Sequence, residues 1–234
     1  MKIVAIGDTH GRDVWKKIVE KEKDADDIIF IGDYFDSFDI PYKNQMDNFC
    51  EILAFKQENH GKVSLLLGNH DFHYISPEER YSGYQSQYAH LIGKIVQEAI
   101  DADLITVCRK RDNYIFTHAG ITKTWAEKNG VENFNKPGRE MWAMLKNCPN
   151  IFKFTANSYH DNYGDSITQP PIWVRPEALM SDPFDGCGEE IIQVVGHTKF
   201  DGVQIKDKFI FIDCLDYRNE YLIINDGVPS IGTV

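Results

Sequence analysis

Three short apolar runs near the start of the chain each end in glycine followed at once by polar residues. The runs and their endings are residues 2–6 with Gly7-Asp8, residues 28–31 with Gly32-Asp33, and residues 63–67 with Gly68-Asn69. Runs of this kind are typical of buried strands that stop at a turn. Apolar residues at helical spacing lie between them, around Trp15 and Phe49, and predict one helix in each interval. This β-α-β-α-β order predicts an α/β fold with a parallel sheet, in which the polar loops leave from one edge.

The rest of the chain divides into a helical middle and a strand-rich end. A long amphipathic helix is predicted over 88–99, with strands at 104–107 and 114–117. Residues 121–188 lack clear strand patterns, and we interpret them as a cap or insertion within a single domain over 1–234. Strand patterns return at 191–195, 203–205, 209–212 and 221–224. Their short spacing predicts hairpins and an antiparallel second sheet.

Composition and charge argue against several functional classes. The 234 residues carry a net charge of −11, whereas general nucleic-acid or anionic-membrane binding needs a basic face. We therefore expect no membrane partner and no general nucleic-acid binding. No apolar stretch approaches the roughly 18 residues of a membrane span, and the first apolar run is too short for a signal peptide. The five cysteines are odd in number and show no CxxC spacing, which predicts reduced thiols and a cytoplasmic location.

The polar side chains that follow strand ends are candidate metal ligands: Asp8, His10, Asp33, Asp36, Asn69, His70, His118 and His197. Carboxylate, imidazole and carboxamide groups together suit divalent transition metals. We expect manganese, with iron, zinc, nickel or cobalt as alternatives. Cysteine is missing from the set, which argues against a structural zinc site. A set of this size exceeds what one tetrahedral ion needs, so the pattern favours two divalent ions roughly 3.5–4 Å apart that share a carboxylate.

Other polar and aromatic residues have a simpler interpretation. Four histidines lack the strand-end context and are expected to lie on the surface or to make local hydrogen bonds: His60, His73, His90 and His160. The tyrosines at 81, 84 and 88 are expected to form a packing face. Asp71 is expected to brace its turn rather than to bind metal.

Five short motifs together resemble the signature blocks of the calcineurin-like metallophosphoesterases. In chain order they are Gly7-Asp8-x-His10-Gly11, Gly32-Asp33-x-x-Asp36, Gly68-Asn69-His70-Asp71, Thr117-His118-Ala119-Gly120 and Gly196-His197-Thr198. They occur in the order of the family's blocks and span residues 7–198. The resemblance implies a four-layer α/β/β/α sandwich with two mixed β-sheets, and a dimetal site at the strand ends. It also implies a metal-dependent hydrolase acting on phosphate mono- or diesters.

The resemblance also implies a role for each matching residue. Asp8 and His10 would hold the first metal, Asp33 would bridge both metals, and the second metal would be held by Asn69, His118 and His197. His70 would lie near the substrate as a general acid, paired with Asp36. Many diesterases and nucleases of the family carry a second histidine where this chain has Lys199. The chain is therefore more similar to the phosphoprotein phosphatase branch, including its bacterial and phage members.

The chain departs from that branch at the phosphate clamp. Phosphoprotein phosphatases usually carry Arg-Gly after the second aspartate of the second block, whereas this chain has Ser37-Phe38. The segment Trp173-Val174-Arg175-Pro176 resembles a tryptophan–arginine segment of the bacterial branch. Arg175 is therefore the candidate that binds the substrate phosphate, since a guanidinium can contact it with two parallel hydrogen bonds. Arg139 is a weaker candidate.

Three functions follow from these residues and stay open at this point. The first is a phosphomonoesterase of the phosphoprotein phosphatase type, in which a hydroxide bridging the two metals attacks phosphorus in line. Its partner would be a phosphorylated substrate, either a phosphoprotein or a small phosphoester. The second is a dinucleoside polyphosphate hydrolase or nucleotide phosphodiesterase on the same fold. The third is a non-catalytic protein-binding module.

Overall fold

The chain folds around two β-sheets that pack face to face. The structure is a computed structural model, and it describes residues 1–76, 78–131, 137–155, 164–184 and 190–234. In chain order its strands are β1 (Lys2–Ile6), β2 (Asp27–Phe30), β3 (Val63–Leu66), β4 (Ile105–Thr106), β5 (Cys108–Arg111), β6 (Tyr114–Thr117), β7 (Ile192–Val195), β8 (Gln204–Lys206), β9 (Phe209–Phe211), β10 (Glu220–Asn225) and β11 (Val228–Thr233). Its helices are α1 (Trp15–Lys21), α2 (Tyr42–Glu58), α3 (Asn69–Phe72), α4 (Ala89–Asp101), α5 (Lys123–Lys128), α6 (Pro137–Asn147) and α7 (Pro176–Ser181), with a 3-10 turn at Pro149–Phe152.

The first sheet has the strand order β11-β10-β1-β2-β3-β4. Strands β1 to β4 run parallel, as predicted from the β-α-β-α-β order, and β10 pairs antiparallel with β1. In β1, Val4 and Ile6 face the helices, whereas Ile3 and Ala5 face the second sheet. Both faces are covered, which explains why these strands read as unbroken apolar runs without alternation. The carboxyl ends of β1, β2 and β3 therefore lie side by side.

The second sheet has the order β5-β6-β7-β9-β8 and is mixed. The expectation of an antiparallel second sheet was wrong, because β7 pairs parallel with both β6 and β9. The hairpin at 204–211 does form, but its first strand, β8, lies at the edge and leaves β9 next to β7. The strand at 220–225 belongs to the first sheet. Short spacing along the chain shows that two strands are near each other, but it does not fix which of them are neighbours.

Three apolar clusters define four layers. The largest lies between the first sheet and the helices, where Ile18, Phe49 and Val96 pack on it. A second cluster fills the space between the sheets, with Tyr114, Phe116 and Ile210 among its members. A third packs α7 against the outer face of the second sheet. The predicted α/β/β/α sandwich with two mixed sheets is confirmed.

The predicted helices are confirmed at α1, α2 and α4, but two strands were not predicted. Strand β5 has the sequence Cys-Arg-Lys-Arg, which is polar because it is a partly exposed edge strand. Strand β11 contains Pro229 and Gly232, which argue against a strand except at an edge, and β11 is an edge.

The region 121–188 contains, in its described parts, three helices, the 3-10 turn and one isolated β-bridge between Thr122 and Pro183. Trp125 and Met141 join the core on the helix side of the first sheet. The single domain over 1–234, the cap at about 121–188 and the cytoplasmic location stay predictions.

The structure also bears on the predictions about membrane spans and cysteines. Among the described residues, no helix is both long enough and apolar enough to cross a membrane. The described cysteines, Cys50, Cys108, Cys148 and Cys214, carry free thiols, and Cys187 and His160 lie outside the described residues.

Candidate active site

The five polar loops predicted from the sequence meet at one place, at the carboxyl ends of β1, β2, β3, β6 and β7. Parallel pairing within each sheet aligns these ends, and face-to-face packing brings the two edges together. The predicted metal-ligand residues are all buried there: Asp8, His10, Asp33, Asn69, His118 and His197.

Asp33 lies at the centre of this cluster. Its Oδ2 is 3.4 Å from Nε2 of His118 and 3.9 Å from Nε2 of His10. Two groups of potential ligand atoms, each lying within 4.8 Å of one another, share this carboxylate: Asp8, His10 and Asp33 form one, and Asp33, His118 and His197 form the other. The geometry therefore offers two cation positions with one aspartate in common.

Asn69 completes the second group. Its Oδ1 lies 2.9 Å from Nε2 of His118 and 2.9 Å from Nδ1 of His197. The other nitrogen of each ring faces a backbone carbonyl, that of Ile31 at 3.1 Å and that of Trp173 at 3.0 Å. Burial, with the nearby Arg175 and His118, holds the pKa of His197 well below its usual range, so this ring is neutral and has one N–H to donate. With that proton on the carbonyl side, lone pairs of Asn69 and His197 face one another, as in a cation site.

The carboxylates provide a second test of whether a cation fits. Oδ2 of Asp8 accepts the backbone N–H of His197 at 3.0 Å, but its buried Oδ1 has no hydrogen-bond partner among the described residues. Burial, together with the charges of Asp213 and Asp33, raises the pKa of Asp8 well above its usual range. A buried carboxylate that has one oxygen without a donor and lies beside like charges needs a compensating cation. The residues present therefore fit divalent metal ions.

Asp213 is a member of this region that sequence reasoning missed. It is buried, and burial together with the charge of Asp33 raises its pKa to about 7. It follows the end of β9, so the same strand-end rule could have found it. The signal was weaker because no glycine precedes it.

The backbone at the site is bent to bring these groups inward. His10, Asp33, Asp36 and His197 have φ of 43°, 54°, 67° and 65°. Each such left-handed residue other than glycine costs roughly 1 kcal/mol or more, and residues of this kind are concentrated at functional sites.

Two glycines of the motifs make room for the carboxylates. A Cβ on Gly68 would lie 2.0 Å from Oδ1 of Asp33, and one on Gly196 would lie 2.0 Å from Oδ1 of Asp8. A larger residue at either position would displace the neighbouring carboxylate.

Asp71 links the loop after β2 to the loop after β3. Its carboxylate accepts the backbone N–H groups of Gly68 at 2.9 Å, Asp33 at 2.9 Å and Tyr34 at 2.8 Å. Its oxygens are thus engaged in the turn, as expected from the sequence. The contact fixes Asp33 relative to the loop that carries Asn69.

Replacing Asp71 by alanine is expected to destabilise the protein by about 3 kcal/mol or more, because three buried N–H groups lose their acceptor. Urea unfolding monitored by circular dichroism measures this loss. Asp47→Ala, on the exposed side of α2, is the control and should change the free energy of unfolding by less than about 0.5 kcal/mol. Equal stability of the two variants would show that Asp71 does not brace the loops.

His70 and Asp36 form a hydrogen-bonded pair beside the cluster. Nδ1 of His70 lies 2.9 Å from Oδ2 of Asp36, and the backbone N–H of His70 donates to Oδ1 of Asp33 at 2.9 Å. Burial works to raise the pKa of Asp36, but the hydrogen bond from His70 and the close contact of the His73 ring outweigh it and bring the pKa to about 2. Burial works to lower the pKa of His70, but Asp33 and Asp36 outweigh it and raise that pKa. The two carboxylates therefore favour the charged form of the imidazole.

His73 is more closely connected to this pair than the sequence indicated. It is fully buried, so a surface position is excluded, and its Nε2 lies 2.7 Å from Oδ2 of Asp36. Tyr74 donates a hydrogen bond from its hydroxyl to the other oxygen of Asp36. Asp36 is thus held by two rings and a phenol. Since His73 follows His70 by three residues, one turn of helix brings both rings to the same side.

A cavity of about 470 Å³ opens over these groups. Its lining includes His70, Asp33 and Arg175, and also Lys199, which pairs with Asp216. Nη1 of Arg175 donates to the carbonyl of His197 at 3.2 Å and to Oγ1 of Thr198 at 3.0 Å. The candidate clamp therefore lies at the site.

Arg139, the weaker clamp candidate, lies elsewhere. It lines a separate cavity of about 410 Å³ together with Trp142 and Arg109. It is therefore not in a position to bind a phosphate at this site.

Comparison with known proteins agrees with the fold. The chain matches the calcineurin-like phosphoesterase family over residues 1–204. No curated protein shows significant sequence similarity to it. Among solved structures it is similar to a cold-active protein-tyrosine phosphatase of the psychrophile Shewanella sp., with 21% identity and a TM-score of 0.64 over 99% of this chain and 77% of that one. It is also similar to a protein serine/threonine phosphatase from Saccharomyces cerevisiae, with 14% identity and a TM-score of 0.59 over 100% of this chain and 79% of that one.

At these identities the structural likenesses show a shared fold, whereas the family match carries the assignment. That match covers most of the chain and includes all five motifs. The protein therefore belongs to the calcineurin-like phosphoesterase family and is a metal-dependent phosphoester hydrolase.

Proposed function

We propose that the protein is a dimetal phosphomonoesterase of the phosphoprotein phosphatase type, acting on a phosphoprotein or a small phosphoester. One observation carries the proposal: two groups of ligand atoms share Asp33, and the His70–Asp36 pair lies in the same cavity. Metal ligands and a proton donor are the two components that suit metal-dependent hydrolysis of an unactivated phosphomonoester.

The predicted ligand assignment fits this arrangement. Asp8, His10 and Asp33 would hold one ion, and the second would be held by Asp33, Asn69, His118 and His197. When bound, two divalent ions activate water as a nucleophile and neutralise charge on the phosphate oxygens. The mixed carboxylate, imidazole and amide donors favour manganese, with iron, zinc, nickel or cobalt as alternatives.

His70 would act as the general acid. Its Nδ1 is taken by Asp36, which leaves Nε2 as the nitrogen able to donate a proton to the departing oxygen. Asp36 orients the ring and stabilises its protonated form, and the raised pKa of His70 is consistent with this role.

Arg175 would bind the phosphate oxygens from the side of β7. Replacing Arg175 by alanine is expected to raise KM for a phosphomonoester about 10- to 100-fold, because a charge-assisted hydrogen bond is lost. Steady-state kinetics with p-nitrophenyl phosphate, and competition by inorganic phosphate, measure the change. Arg175→Lys should recover part of the binding, since the charge remains.

The same residue also contacts the loop of His197, so metal content must be measured in both Arg175 variants. An unchanged KM with loss of bound metal would mean that Arg175 supports the ligand loop and does not bind phosphate.

The alternative activity is that of a dinucleoside polyphosphate hydrolase or nucleotide phosphodiesterase. The observation against it is Lys199, which stands where many diesterases of the family have a histidine ligand and pairs with Asp216. The third reading, a non-catalytic binding module, is not retained, because the chain belongs to a family of hydrolases.

A substrate panel with Mn²⁺ present tests the proposal. It contains a phosphopeptide, p-nitrophenyl phosphate, bis-p-nitrophenyl phosphate, diadenosine tetraphosphate and a 2′,3′-cyclic nucleotide. The two monoesters should be hydrolysed with kcat/KM at least about 10-fold above the other compounds. Faster turnover of any diester or of the dinucleotide would favour the alternative activity.

A further inference from the structure

Phe38 is an apolar side chain among polar residues that line the cavity. It lines the cavity over the ligand cluster, and among the described lining residues it is the one apolar side chain. The residue is 82% exposed, the highest value among the exposed large apolar residues described. It also stands in the Ser37-Phe38 pair, where the chain departs from the Arg-Gly pattern.

The loop that carries Phe38 is braced on both sides. Oγ of Ser37 donates to Oδ1 of Asp39 at 2.6 Å and accepts the N–H of Ile40 at 3.2 Å. The side chain of Gln45 accepts the N–H of Ser37 at 3.3 Å and donates to the carbonyl of Ile40 at 2.6 Å. Arg12 contacts Asp39 at 3.1 Å. The residues on either side of Phe38 are thus held in a defined turn, and the Phe38 side chain is exposed at the cavity.

The charged groups near Phe38 are engaged with one another. Nη1 of Arg12 lies 2.7 Å from Oδ1 of Asp216, and Lys199 pairs with the same carboxylate. These ion pairs make the rim polar. Phe38 is the one apolar side chain among the described residues that line the cavity.

Exposing a whole phenylalanine ring in water is unfavourable by about 1.5–3 kcal/mol relative to burying it. An aromatic group that covers the Phe38 ring gains this free energy of burial. The two rings also attract one another in an offset or edge-to-face arrangement. A short polar group, such as the methylene of a phosphoserine, covers little of the ring.

We propose that Phe38 contacts the organic part of the substrate and makes the site selective for aryl phosphomonoesters, with the phosphotyrosine side chain as the protein form. The phosphate lies at the ligand cluster and the aromatic ring of the substrate packs on Phe38 at the mouth. This inference rests on the proposed phosphomonoesterase function and adds the class of group that the phosphate is attached to.

The test uses two peptides of the same sequence, one phosphorylated on tyrosine and one on serine, with the Mn²⁺-loaded protein. Phe38→Ala should lower kcat/KM for the phosphotyrosine peptide about 10-fold. It should change kcat/KM for the phosphoserine peptide by less than about 2-fold, because that substrate leaves the ring uncovered. Each substrate is compared across variants, so the intrinsic reactivity of the aryl ester cancels.

Two further variants separate aromatic from general apolar contact. Phe38→Tyr should retain the wild-type ratio of the two kcat/KM values, and Phe38→Leu should lie between wild type and Phe38→Ala. Leu91→Ala, an exposed apolar residue on α4, is the matched control and should change neither substrate.

Equal losses on both peptides, or no loss on either, would overturn the selectivity role of Phe38 while leaving the phosphomonoesterase function in place. A wild-type protein that hydrolyses diesters but neither peptide nor p-nitrophenyl phosphate would overturn both.

Discussion

Replacing Asp33 by asparagine is expected to lower kcat/KM for p-nitrophenyl phosphate by at least about 10³-fold, and to remove most of the bound metal. Asp33 is the one member common to both groups of ligand atoms, so its charge supports both cation positions. Burial would raise the pKa of this carboxyl, but His118 and His70 hold it well below its usual range, which keeps it ionised. Asparagine keeps the shape and one acceptor oxygen but loses the negative charge.

Metal analysis of the purified variant, together with steady-state kinetics, measures both effects. Thermal unfolding should confirm that the variant is folded, since Oδ1 can still accept the N–H of His70. Asp47→Asn, on the exposed side of α2, is the control with the same chemical change. An Asp33→Asn protein that keeps its metal and more than a tenth of its activity would contradict the shared-ligand role.

Replacing His70 by asparagine should have the second largest effect and a different pattern. Metal content should be unchanged, while kcat for an alkyl phosphate falls about 10²- to 10⁴-fold, because the leaving alkoxide loses its proton donor. The loss should be smaller for p-nitrophenyl phosphate, whose leaving group needs less protonation. The ratio of the two losses therefore measures proton donation specifically.

His90→Asn, an exposed histidine on α4, is the control and should behave as wild type on both substrates. If His70→Asn reduced kcat equally for the alkyl and aryl substrates, His70 would be acting on the phosphate or the metals and not on the leaving group.

The site residues that the sequence predicted are those that directly follow a strand. Each of Asp8, Asp33 and Asn69 follows a buried run within two residues, so one local rule locates all three. The rule predicts proximity because parallel strands end at one edge. It extends to the second sheet only because β6 and β7 also run parallel.

What the sequence did not predict depends on contacts between distant segments. The neighbours of β7 are chosen by sheet packing and not by spacing, so the antiparallel expectation failed. Asp213 joins the site because β9 lies next to β7, and His73 reaches Asp36 through the turn after β3. Each leaves only a weak signal in the sequence: no glycine precedes Asp213, and the three-residue spacing from His70 does not identify Asp36 as the partner of His73.

The hydrogen bonds that connect the loops of the site were likewise not predicted from the sequence. Asp71 was expected to support its own turn, but it also accepts N–H groups of the loop after β2. A carboxylate that joins two loops looks, in sequence, like any aspartate in a turn.

Titration of the metal-free protein with Mn²⁺, followed by calorimetry and by p-nitrophenyl phosphate hydrolysis in the same samples, tests the dimetal site most directly. The geometry predicts two ions bound per chain, activity that rises with occupancy, and loss of both in Asp33→Asn. Full activity in chelator-treated protein, or binding of two ions that is unchanged in Asp33→Asn, would contradict a catalytic centre built on Asp33.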